Sequence, residues 1–267
     1  MDTLFNRLAL ICLLLVLCSG CSRGPSKSHS LTIAGSTSVQ PFVEKLAEIY
    51  MEVHPDVIIN VQGGGSTAGI KACAQGAAEI GTCSRELKAD EKNLERIVIA
   101  HDGIAVIVHP KNPVTNMTIE QLQGIFSGRI RSWSHFGWVH KPIFFVTREE
   151  GSGTRDAFEH LVMGKLDISD EALVQDSNGS VREIIANNAW AIGYISFGVV
   201  NAQVKALAVN SVTPNHQTIK NKQYKLTRPF LFVTLPRVSD QSQKFIDFVL
   251  GPDGQRILEH EGLIGIH

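Results

Sequence analysis

Leu31-Thr32-Ile33-Ala34-Gly35-Ser36-Thr37-Ser38-Val39-Gln40-Pro41-Phe42 is the stretch on which the reading of the fold turns. Its first four residues are apolar or β-branched and predict a strand. Gly35 to Ser38 ends that run with small, hydroxylated residues. Pro41 then lies just inside an amphipathic segment, Phe42 to Glu52, where a first-turn proline is tolerated because its missing N–H has no helical partner to lose. The order is strand, Ser/Thr/Gly turn, helix, and it recurs. Gly63-Gly64-Gly65-Ser66-Thr67-Ala68-Gly69 follows a predicted strand at 57–61 and opens a helix over 68–75. Arg148-Glu149-Glu150-Gly151-Ser152-Gly153-Thr154-Arg155 follows a predicted strand at 143–147 and opens a helix over 155–163.

Working outward, further strands are expected at 80–82, 97–100, 104–108, 191–196 and 230–234, and further helices at 119–124, 180–187, 240–250 and 254–261. Strands alternating with helices predict an α/β fold with mainly parallel sheets. No fixed-period repeat interrupts the pattern. The chain has 267 residues and a formal net charge of −1, so nothing suggests a nucleic-acid surface, and its aromatics are sparse and scattered with no stacking platform.

The N-terminus carries a different kind of information. Arg7 precedes an uninterrupted apolar run of ten residues, Leu8 to Leu17, followed by Ser19 and Gly20. Such a run is a signal-peptide core, too short to span a bilayer of roughly 30 Å. Leu17-Cys18-Ser19-Gly20-Cys21 resembles a bacterial lipobox, which makes Cys21 the candidate lipidated residue; an ordinary cleaved signal is the alternative. Residues 1–21 are therefore read as a lipoprotein signal and 22–30 as a flexible polar tether. The mature chain would be tethered to a membrane rather than crossing it. Cys73 and Cys83 are expected as small buried thiols, with a disulfide open as the alternative in an exported chain. Neither belongs to a CxxC pair and no His stands at ligand spacing, so no metal site is expected.

The three loops share one chemistry. A helix start exposes unpaired N–H groups and partial positive charge. Glycines admit a ligand close to the backbone, hydroxyls add rotatable donors, and Arg148 adds charge; an oxyanion satisfies all of these together. One such loop is usually only a helix cap. Three together favour a tetrahedral oxyanion. No P-loop or Rossmann fingerprint supports a nucleotide. Gly64-Gly65-Ser66-Thr67-Ala68 falls one residue short of a nucleophile elbow, and no His or acid can be assigned to serve Ser66, so an enzyme is not expected.

These loops, with Cys83-Ser84-Arg85-Glu86-Leu87, Ala191-Ile192-Gly193-Tyr194-Ile195-Ser196 and Leu226-Thr227-Arg228-Pro229-Phe230, resemble the PstS-like phosphate-binding proteins of ABC importers, in the family's order and over nearly the whole mature chain. The resemblance implies a two-lobed periplasmic-binding-protein fold with a hinge and a ligand cleft. Residues 31–108 and 226–267 would form one lobe and 109–225 the other, with strands near 104–108 and 230–234 crossing between them. It implies that Thr37, Ser38, Ser66 and Ser84 from one lobe and Arg148, Ser152, Gly153 and Thr154 from the other bind phosphate. It also implies a monomeric, cofactor-free receptor outside the cytoplasm, anchored by lipid, that passes inorganic phosphate to permease subunits. Other oxyanions (sulfate, molybdate, tungstate) and an anchored sensor without a transport role are the alternatives. One position departs from well-known members, which place an Asp where this chain has Ser84. That Asp accepts the proton of hydrogen phosphate, and here Glu149 or Glu150 is the candidate replacement, Glu150 otherwise pairing with Arg148.

Overall fold

The computed structural model describes residues 29–267. The signal, Cys21 and most of the tether lie outside the described residues. The chain opens with β1 (His29–Gly35), α1 (Gln40–Val53), β2 (Val57–Gln62), α2 (Ser66–Ala74) and β3 (Ile80–Cys83). A long strand follows, β4 (Glu95–Val108), and then β5 (Asn116–Met117), α3 (Ile119–Phe126), β6 (Phe144–Arg148) and α4 (Gly153–Phe158). Next come β7 (Leu173–Gln175), α5 (Asn178–Asn187), β8 (Ala191–Ser196), β9 (Lys205–Ala206), β10 (Ala208–Val209) and α6 (His216–Lys220). β11 (Thr227–Thr234), α7 (Asp240–Leu250) and α8 (Pro252–His260) close the fold.

The main sheet runs in the order β2-β1-β3-β11-β4-β8-β6-β7, with β9 also paired to β4. Parallel pairing joins β1 to β2 and β3, and β6 to β7 and β8. β11 is antiparallel to β3 and β4, and β4 is antiparallel to β8, so the sheet is mixed rather than mainly parallel. The cause is connectivity. β4 leaves the first half of the molecule and β11 returns through the same side, so the two run in opposite directions.

Several element boundaries differ from expectation, among them the start of β11 at Thr227 and of α5 at Asn178, and three differences have clear local reasons. β1 begins at His29, inside the stretch read as tether, because His29 and Ser30 pair with Val57 and Ile58. The strands expected at 97–100 and 104–108 are one strand, since His101, Asp102 and Gly103 keep their ladder partners in Pro229, Arg228 and Thr227. The helix expected over 155–163 begins at Gly153 and continues beyond Phe158 as a π turn to Met163.

β4 changes partners in mid-strand. Glu95 to Gly103 pairs with β11, and Ile104 to Val108 pairs with β8. Its second part is buried on both faces: Ile104, Val106 and Val108 enter one core with Phe126, Trp133 and Tyr194, while Ala105 and Ile107 enter another with Val146, Val181 and Ile195. That two-sided burial is why the segment reads as a continuous apolar run. A further core gathers Leu31, Ile33, Phe42 and Leu46 with Phe230, Phe232 and Phe245, joining both ends of the described chain. Cys73 and Cys83 are buried free thiols, as expected, and not joined in a disulfide. Among the described residues, no helix is long and apolar enough to cross a membrane.

Candidate functional site

The three Ser/Thr/Gly loops converge. Each opens a helix, as expected: α1 after Ser38, α2 at Ser66, and α4 at Gly153 with Ser152 as its cap. The first loop is held against β3 by the Ser36 N–H, which donates to the Thr82 carbonyl at 3.0 Å. This approach is so close that a Cβ on Gly35 would collide with the Thr82 carbonyl and lie 2.8 Å from its hydroxyl, at a φ of +143°. Only glycine serves there.

All eight residues singled out from sequence lie in this one region. Ser38 Oγ is 3.3 Å from Thr154 Oγ1. The Ser84 N–H donates to Ser66 Oγ at 3.1 Å, and their hydroxyls lie 3.4 Å apart. A Cβ on Gly153 would meet both of these hydroxyls. Ser152 Oγ accepts the Arg155 N–H at 3.3 Å, which caps α4. The helix is docked from below by Phe158, whose ring stacks on Tyr194 with centroids 3.9 Å apart.

Arg148 is 1% exposed. Its Nη2 donates to Thr37 Oγ1 at 3.1 Å and to the Asp176 carbonyl at 3.1 Å. Its Nε and Nη2 grip the two carboxylate oxygens of Glu149, each at 2.9 Å. The acid beside Arg148 is therefore Glu149, and Glu150 is exposed at the surface. Adjacent residues can pair here because the fork of Arg148 turns back over its own strand end. Arg148 Nη1 is buried and has no hydrogen-bond partner in the protein. An unmatched charged donor in such a place costs on the order of 1–3 kcal/mol or more unless a ligand meets it.

Four residues with no role assigned from sequence complete the site. Ser36 links Ser38 and Ser84, with hydroxyl separations of 2.9 Å to each. Arg228, 3% exposed, donates through Nη1 to Thr154 Oγ1 at 2.8 Å and to the Ser84 carbonyl at 3.3 Å. Asp102 holds it, accepting from Nε at 3.1 Å and from Nη2 at 2.9 Å. Burial pushes the Asp102 carboxyl up from the usual carboxylate range and the guanidinium opposes that push. Arg cannot shed its proton in a protein, so Arg228 stays a cation and a donor at every nitrogen. Asn178, at the start of α5, reaches Thr37 Oγ1 at 3.5 Å. A charged Arg inside the apolar run Leu226 to Thr234 was the one sequence signal for this second cation.

The two long segments of the chain meet directly across this site. The Thr67 N–H donates to the Gly151 carbonyl at 3.0 Å, and Arg85 pairs with Asp156 at 2.7 Å. Among the described residues the hydrogen-bond partners of Ser66 Oγ are the amide and hydroxyl of Ser84, with no His or carboxylate to activate it.

A mixed α/β sheet split between two packed halves, with helix N-termini from both aimed at one buried polar cluster, defines a two-lobed solute-binding protein. The family model described as a PBP superfamily domain matches residues 22–253. The phosphate-binding protein PstS of Bacillus subtilis (strain 168) is 31% identical over 255 residues, covering 93% of this chain and 85% of that relative. A crystal structure of a putative phosphate ABC transporter substrate-binding protein with bound phosphate, from Clostridium perfringens, is 40% identical with a TM-score of 0.87 and covers 90% of this chain and 100% of that one. An ABC-type phosphate transport receptor from Vibrio cholerae is 39% identical, with a TM-score of 0.74 over 88% of this chain and 99% of that one. The chain belongs to the PBP superfamily and, within it, to the PstS-like phosphate-binding proteins.

Proposed function

We propose that this protein captures inorganic phosphate between its lobes and hands it to the permease of an ABC importer, without catalysing a reaction. The observation that carries the reading is the buried, unpartnered Nη1 of Arg148, whose guanidinium also reaches Thr37 in the first of the three helix-opening loops. Thr37, Ser38, Ser66, Ser84, Arg148, Ser152, Gly153 and Thr154 are the proposed ligand shell. The absence of a base beside Ser66 supports binding rather than hydrolysis.

The proposed lobes are 31–108 with 226–267, and 109–225. In support, one core draws on residues from both ends of the described chain and a second is built almost wholly from the middle. The partner change of β4 between Gly103 and Ile104, opposite Thr227 and Leu226, is the proposed hinge, nearer the lobe boundary than the 230–234 segment. Closure about it would bring Arg148 and Thr154 onto Thr37 and Ser38 and present one shape to the importer.

Calorimetric titration of the delipidated protein is expected to give clear heat with phosphate and none with sulfate, molybdate or tungstate at the same ionic strength. Heat with one of those anions alone would overturn the phosphate assignment. The proposal includes a monomeric receptor lipidated at Cys21 on the outer face of a membrane. Cys21→Ser should move it from the membrane fraction to the soluble exported fraction; retention on the membrane would refute the anchor.

A further inference from the structure

Arg85 follows Ser84 directly, and Asp156 stands two residues past Thr154 in the first turn of α4. They belong to opposite lobes and meet behind the phosphate shell, Nε to Oδ2, at 2.7 Å. We infer that Arg85 is a positioning residue that latches the lobes together through Asp156 and so sets how long phosphate stays bound. The inference rests on the proposed function and its division into lobes.

The guanidinium has one donor left for the second lobe. Nη1 donates to the Glu86 carbonyl at 2.9 Å and to Glu91 Oε2 at 2.7 Å. Nη2 donates to Glu91 Oε1 at 2.8 Å and to Thr67 Oγ1 at 3.2 Å. Those four N–H groups are used within the first lobe, and a guanidinium carries about five. The remaining one, on Nε, is buried and has no hydrogen-bond partner, and the same holds for Asp156 Oδ2, the oxygen it faces. The two meet as an ion pair, and Lys88 Nζ approaches the same oxygen at 3.1 Å.

The charges on the two sides are complementary. Glu86 is taken by Arg96 and Glu159 by Arg155, which leaves Arg85 and Lys88 facing Glu91 alone in the first lobe. That side carries one uncancelled positive charge, and closure brings Asp156 onto it. Arg85 also steadies Thr67, whose N–H makes the other tie across the cleft, to the Gly151 carbonyl at 3.0 Å. Ser84 and Thr154 are proposed to hold the anion, and their near neighbours Arg85 and Asp156 hold each other. Ligand and latch therefore favour the same closed arrangement, and each strengthens the other. A contact completed only on closure slows opening rather than capture, so its loss falls on release. A cavity of about 470 Å³ beside the pair, lined in part by Lys88, His160 and Pro229, lets salt reach it.

The test is the near-isosteric Asp156→Asn, with Asp156→Glu as the variant that keeps the charge. Release is followed by a rapid-filtration chase of bound radiolabelled phosphate, and calorimetry supplies Kd, from which the capture rate follows. Asp156→Asn is expected to release phosphate about tenfold faster with capture within about twofold of wild type, as for contacts that act on dissociation. Added salt should speed release from the wild type and from Asp156→Glu more than from Asp156→Asn. A lowered Tm with wild-type release in Asp156→Asn would make the pair a folding contact and overturn the inference. Slower release in Asp156→Asn would also overturn it, since that is what losing a negative charge near the anion does without a latch. Either result leaves phosphate binding standing, whereas no phosphate binding by the wild type would sink the proposed function itself.

Discussion

Arg148→Met is expected to weaken phosphate binding by about a hundredfold, which corresponds to roughly 2.8 kcal/mol. The size follows from what the side chain has left to give. Its Nε and Nη2 are committed to Glu149, Thr37 and main-chain carbonyls, while Nη1 is buried with no protein partner. A hydrogen bond to a charged group contributes about 1.5–3 kcal/mol net, and the anion also loses the nearby cation itself. Arg228 cannot replace it, because its Nη1 is held by Thr154 and the Ser84 carbonyl and its other nitrogens face Asp102. Calorimetry at constant ionic strength measures the change. Affinity within threefold of wild type would move the anion away from Arg148.

Gly153→Val should abolish measurable binding while the protein stays folded. A Cβ at this position would lie 2.6 Å from Ser84 Oγ and closer still to Ser66 Oγ. Those atoms belong to the opposite segment of the chain, so the clash exists only when the loops meet. Gly153 does not require a left-handed backbone, and the variant helix can still be capped by Ser152. The expected signature is a wild-type circular dichroism spectrum with no heat on phosphate addition. Small-angle scattering should show no decrease in radius of gyration with phosphate, whereas the wild type contracts. Wild-type affinity in Gly153→Val would mean that the loops do not close on each other in the bound state.

Much of the architecture was readable because its signals are local. Asp240–Leu250 and Ala191–Ser196 were found to the residue; in the structure Ser239 caps the first, and every residue of the second is buried. β7 and α6 were missed: three residues at a sheet edge and five residues held by an Asn cap are too short for a period to emerge. Antiparallel pairing of β11 was also missed. Nothing in Thr227 to Thr234 says which strands it will lie between or in which direction.

The same division runs through the site. Ser, Thr and Gly at three strand-to-helix turns announce anion-binding chemistry by themselves, because unpaired N–H groups and small residues at a helix start are properties of a few consecutive positions. Sequence therefore determined the loops and the class of ligand. Which acid holds Arg148, how Asp102 meets Arg228 and how five hydroxyls line up between Thr154 and Ser66 were decided only by tertiary structure. These residues stand up to 126 positions apart in the chain. Hydrogen-bond direction depends on distances of about 3 Å between groups that only packing brings together, and no local pattern encodes it.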